Sequence, residues 1–133
     1  MKKITIILVI IFTFLFSNTT WGDWSYVVKG SKSQKLYYDK DRIRKSGKFI
    51  YFWELLDYLK PTEYGDLSVI SYIELDCSIF RYKWLKIQFY NKSMGDGEMT
   101  TDDTPKGKQG EWRYPQPDSS KEFILSIICE EHQ

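Results

Sequence analysis

A strict alternation dominates the middle of the chain. In "SVISYIELDCSIF", residues 68–80, Val69, Ser71, Ile73, Leu75, Cys77 and Ile79 fall on one side, and Tyr72, Glu74, Asp76 and Ser78 fall on the other. A period of two marks a strand with one buried face. Residues 68–90 contain neither glycine nor proline, and such a run exceeds normal strand length. A hairpin or sharp bend is therefore expected near residues 78–82, with Leu85, Ile87 and Phe89 continuing an apolar face beyond it.

Upstream, "DWSYVVKG" sets Trp24, Tyr26 and Val28 on one side and predicts a first strand, and "QKLYYD" predicts a second. "DRIRKSGKFIYFWELL" predicts a short strand, a turn at Ser46 and Gly47, and another strand. Its Glu-Leu-Leu would also suit a helix, but the aromatic content and the preceding turn favour a strand. Pro61 and Gly65 mark a loop, "SMGDGE" a second break and residues 100–110 a polar loop. "EWRYPQP" predicts a last short strand running into a turn.

The period then changes. In "PDSSKEFILSIICEE", Ser119 followed three residues later by Glu122 forms a capping-box pattern. Phe123, Ile124, Ile127 and Ile128 recur at helical spacing and define an apolar stripe. That stripe has to be buried, and the apolar side of the sheet is the partner available. The expected architecture is α+β: an antiparallel sheet of about five or six strands with a C-terminal helix packed on one face.

The N-terminus changes the picture of where this domain works. Lys2 and Lys3 precede an apolar run at residues 4–16, and Thr20 and Gly22 are placed like the small residues before a signal-peptidase cut. Residues 1–22 are read as a secretory signal, leaving a single domain at 23–133. The apolar run is shorter than the roughly 20 residues a spanning helix needs, so no stable membrane span is expected after cleavage. No cysteine follows the run to carry a lipid. The expected location is exported: periplasm, cell surface or medium.

Removing 22 of 133 residues leaves 111, enough for one domain that buries roughly two-thirds of its unfolded surface. Without Lys2 and Lys3 the charges are 17 basic against 18 acidic. Such a balance argues against nucleic acid as a partner.

Export also bears on Cys77 and Cys129. In an oxidising compartment two cysteines are most simply a disulfide. Two thiols are too few for a structural zinc site, and the sole histidine, His132, lies one residue from the end. Cys129 and His132 would sit one turn apart like a nucleophile and base, but nothing orients the histidine. A Cys77–Cys129 bridge closes a loop of about 50 residues, a contribution of about 4 kcal/mol in the chain-entropy picture. It would tether the end of the helix to the sheet.

Charge placement is the strongest signal outside the core. Between residues 29 and 48, Lys29, Lys32, Lys35, Lys40, Arg42, Arg44, Lys45 and Lys48 face only Asp39 and Asp41. Residues 54–76 carry six acids, Glu54, Asp57, Glu63, Asp66, Glu74 and Asp76, against Lys60. The basic segment suits a sulfated glycan, lipopolysaccharide or an acidic protein surface. Solvated loops and lysine-guarded edge strands need no ligand and are the simpler reading. Tyr72, Tyr82, Trp84 and Tyr90 are expected on the sheet face opposite the helix, as a partner or homodimer contact or as a second half of the core. Asp96, Glu98, Asp102 and Asp103 do not match a calcium loop, so a polar turn is expected and no metal or other cofactor. No carboxylate pair is placed for acid–base work, and no enzyme is expected.

A family resemblance rests on motif order: Tyr37 to Asp39, Trp53 with Leu55 to Tyr58, Ser71 with Glu74 to Cys77, and Tyr90 with Met94 to Gly97. Trp112, Pro115, Ser119, Ser120 and Ile127 to Cys129 complete it. In this order and spacing the chain resembles the surface-adhesin protein E family of Gram-negative bacteria. The resemblance implies an antiparallel sheet with a disulfide-tethered C-terminal helix. It also implies a binding protein that adheres to host extracellular-matrix glycoproteins. Its name-giving type of protein is lipid-anchored, and this sequence lacks the anchoring cysteine. The other use of such a module is a structural or interaction role in the envelope with no host ligand.

Overall fold

The computed structural model describes residues 23–30, 32–103 and 110–133. The signal segment predicted at 1–22 lies outside them. The described strands are β1 (Trp24–Lys29), β2 (Lys35–Asp39), β3 (Arg44–Ser46), β4 (Phe49–Asp57), β5 (Ser68–Asp76), β6 (Arg81–Tyr90) and β7 (Met99–Asp102), followed by helix α1 (Ser120–His132). They form one antiparallel sheet in the order β1-β2-β4-β5-β6-β7. Strand β3 pairs with the first half of β4 while β2 pairs with its second half. Strands β2 and β3 thus run along one edge of β4, interrupted by a 3-10 turn at Lys40–Arg42. Asp39 caps that turn by accepting from the Asp41 amide.

The alternation in β5 holds. Ile73 and Leu75 face the helix, opposite Phe52 and Ile50 of β4, and join Leu36, Tyr38 and Tyr82 in the main core. Helix α1 covers this face with Ile124, Leu125, Ile128 and Cys129. The helical stripe is therefore rotated from the expected one, and Phe123 is exposed. Two tethers fix the rotation: Lys121 reaches Glu54 of β4, and Cys129 is bonded to Cys77 just past β5. Ser119 caps the helix by accepting from the Glu122 amide, while Glu122 accepts from Asp118.

The β5–β6 turn falls where expected, at residues 77–80, and Phe80 adopts a left-handed conformation within it. Strand β6 holds a bulge. Ile73 pairs with Trp84 but Tyr72 pairs with Lys86, so Leu85 is the extra residue. A bulge reverses which residues face which way beyond it. Tyr82 and Trp84 consequently lie on the helix side, edge to face at 5.3 Å, and not on the opposite face as expected. Tyr72 and Tyr90 do lie opposite the helix, with Tyr90 buried.

Two further expectations are corrected. Residues 100–102, read as loop, form with Met99 the strand β7, an exposed edge strand paired to β6. The rest of that predicted loop, 104–109, lies outside the described residues. "EWRYPQP" forms no strand. It makes one bridge, Arg113 to Tyr82, with Pro115 and Pro117 directly after it.

Candidate functional site

The sheet face away from α1 is built by alternate residues of β4. Phe49, Tyr51 and Trp53 point to it, because Ile50, Phe52 and Glu54 point to the helix. Cross-strand register extends these positions into three rows. The first runs Arg44, Tyr51, Glu74, Lys83. The second runs Trp53, Tyr72, Lys86, and the third Phe49, Asp76, Arg81. An aromatic stripe thus has cations on both flanks.

The two ends of this face are closed differently. At one end Trp112 stacks on Phe49 at 5.7 Å, with Arg81 and Lys83 over its ring at 4.3 and 4.4 Å. At the other, the turn at Ser93–Gly95 lies over Leu55 and Ile70. Hydrogen bonds from the Met94 amide to Asp57 and from the Gly95 amide to Ser68 hold that turn down. Between the two ends lie Tyr51, Tyr72 and Trp53, all half-buried. Tyr72 is 6.1 Å from Tyr51 and 4.7 Å from Trp53, each pair tilted by 30°. The three rings form a contiguous cluster, each tilted against its neighbour.

Cations ride on these rings. Arg44 lies 4.6 Å from the Tyr51 centroid, and Arg42 and Lys86 lie 5.4 and 5.9 Å from that of Trp53. The interleaved carboxylates are buried and already committed. Asp39 binds Arg42 at 2.5 Å, Glu74 binds Lys83 at 3.6 Å, and Asp76 binds Arg81 and Lys48 at 3.3 and 3.5 Å. Ser78 donates to Asp76, and this bond more than any other holds its carboxyl below the ordinary range against the opposing effect of burial. Burial raises the Tyr51 phenol, Glu74 raises it further, and Arg44 opposes them. Arg44 and Lys86 make no ion pair among the described residues. A ring contact at an exposed site is worth about 0.5–1 kcal/mol, close to the value of an exposed ion pair. The rings therefore hold these two cations no more tightly than an arriving anion would.

All eight residues of the predicted basic segment are exposed, but the fold does not gather them. Arg42, Arg44 and Lys48 meet Trp53, Tyr51 and Phe49 on the open face. Lys45 pairs opposite Ile50 and points to the other side, and Lys40 sits in the 3-10 turn. Lys29 and Lys35 pair with each other at the far end of β1 and β2, and Lys32 lies in the loop between them. Sequence reasoning missed Arg81, Lys83 and Lys86. For Arg81 and Lys83 the signal was the alternation of basic and aromatic residues in "RYKW", whereas Lys86 lies beyond it, past Leu85. Cys77 and Cys129 form the expected disulfide, with Cα atoms 5.8 Å apart, so Cys129 is no thiol nucleophile. Among the described residues no group of three or more His, Cys, Asp or Glu is placed to hold a metal, and no helix is long and apolar enough to cross a membrane.

A helix stapled by a disulfide across one face of an antiparallel sheet, with a cationic aromatic face left open, describes a small binding domain. The family model described as surface-adhesin protein E matches residues 24–130, and the chain belongs to that family. A structure of Haemophilus influenzae protein E superposes with a TM-score of 0.63 at 19% identity, covering 85% of this chain and 88% of that one. Its crystal form II gives 0.62 at 20% identity, covering 85% and 91%. At such identities the likeness is one of fold. Comparison with curated protein sequences gives no match.

Proposed function

We propose that the chain is an exported envelope or cell-surface binding protein, with residues 1–22 as its signal and 23–133 as an adhesin-like domain. Its partners are host extracellular-matrix glycoproteins or other macromolecules of the cell's surroundings. The observation that carries this reading is the open face, where Arg42, Arg44 and Lys48 of the basic segment converge with Lys83 and Lys86 on an aromatic stripe. Membership in a family of surface adhesins supports it. No catalytic role is proposed.

The test is binding of the purified protein to immobilised matrix glycoproteins over a salt series, beside a variant carrying Arg42→Glu, Arg44→Glu and Lys48→Glu. Binding that falls with salt and with charge reversal is expected. Absence of binding above a control surface at low salt would refute host adhesion. Co-purification with an envelope protein in that case would leave the structural module as the function. A second copy of the chain on the open face would register as a dimer by light scattering.

A further inference from the structure

We propose that the open face is a glycan site that takes an acidic polysaccharide, a sugar chain bearing sulfate or uronate groups. The proposal rests on the binding-protein reading above and names the ligand class and the site. The half-buried ring cluster of Tyr51, Tyr72 and Trp53 offers aromatic surface to pyranose rings, whose C–H groups are attracted to the electron-rich faces of aromatic side chains. Arg44 on β3 and the exposed Lys86 on β6 flank the ring cluster from opposite sides, their strands three spacings or roughly 14 Å apart. A chain lying along β4 thus meets cations on both sides. Arg44 and Lys86 are held by rings and not by carboxylates, so their charge is available to an anion.

Two other polyanions are outcomes of the test. A single-stranded nucleic acid also uses rings and cations, and the oligo-dT arm below distinguishes it from a glycan. An acidic peptide would dock by adding a strand at an edge such as β7, and it has no need of a ring cluster.

The experiment measures binding of the protein, expressed from its complete coding sequence, to a heparin decasaccharide, to hyaluronan oligosaccharides, to oligo-dT and to polyglutamate. Salt-sensitive binding of a glycan is expected, weakened about tenfold or more by Arg44→Ala with Lys86→Ala. These two side chains make no ion pair among the described residues, so folding should be retained, as thermal unfolding will check. Trp53→Phe, which keeps a ring, should bind more tightly than Trp53→Ala, and Lys29→Ala with Lys32→Ala should match the wild type. Binding of heparin alone assigns sulfate, and binding of hyaluronan as well assigns carboxylate. Either outcome upholds the proposal. Failure to bind any glycan, indifference to the Arg44 and Lys86 changes, or tighter binding of oligo-dT or polyglutamate would overturn it. Retained binding to a matrix or envelope protein in that event would leave the broader reading standing and only the glycan site refuted.

Discussion

Lys121, in the first turn of α1, places its ammonium 2.6 and 2.5 Å from the two carboxylate oxygens of Glu54 in β4. Both side chains are largely withdrawn from solvent, at 17% and 8% exposure. The same ammonium lies over Tyr82 and Trp84 at 5.1 and 5.6 Å. Breaking such a pair from one side strands a buried charge, at a cost of about 3 kcal/mol or more. Lys121→Ala should lower stability by that amount in urea denaturation. Lys121→Met combined with Glu54→Leu should recover most of the loss, because removing both charges leaves neither unpaired.

The disulfide joins positions 52 residues apart, and the helix it tethers supplies four of the eleven buried residues of the main core, Ile124, Leu125, Ile128 and Cys129. Cys129→Ser should cost about 4 kcal/mol and leave one titratable thiol. Wild type purified without reductant should show no free thiol by Ellman titration.

Gly95 has φ of 72°, and a Cβ there would stand 2.5 Å from Ile70 Cδ1. Both the left-handed backbone and the close approach penalise a side chain, by about 1–3 kcal/mol each. Gly95→Ala should therefore be among the most destabilising single-methyl additions in the chain, read by thermal unfolding. Gly65→Ala, at φ of 84° but with nothing within 4 Å, should cost less.

Asp76 has its folded pKa lowered below the ordinary 3.8, first by Ser78 and then by Lys48 and Arg81. A carboxylate depressed on folding contributes stability above its unfolded value, and loses it as pH falls through the folded one. Wild-type stability should thus decline as pH drops below about 4. Asp76→Asn should be less stable at pH 7 and show a shallower decline in acid, as measured by melting temperature against pH.

Much of this fold was legible because period-two and helical patterns are direct readouts of burial. Strand β5 followed from alternation, β4 from aromatic content behind a glycine turn, the hairpin from the length of the unbroken run, and the start of α1 from its capping box. The failures have local physical causes. Hydropathy is blind to β7, whose four residues are all exposed and held by backbone pairing and by polar side-chain bonds of Thr100 and Asp102. The bulge at Leu85 cannot be read from alternation, and it moved Tyr82 and Trp84 to the helix side. The acidic stretch at 54–76 read as a charge block, yet Glu54, Asp57, Asp66, Glu74 and Asp76 are each taken up by a partner within the fold. The candidate site was half legible. Arg42, Arg44 and Lys48 were in the predicted segment, whereas their counterparts on β6 lie more than thirty residues further along the chain and meet them only through strand register.

The adhesin reading requires this domain to be exposed outside the outer membrane. Protease shaving of intact cells, with a known periplasmic protein as the lysis control, measures that exposure. A surface adhesin is cleaved while the control survives. Cleavage only after the outer membrane is opened would contradict that reading, and would leave an envelope module that shares the adhesin fold without the adhesin's work.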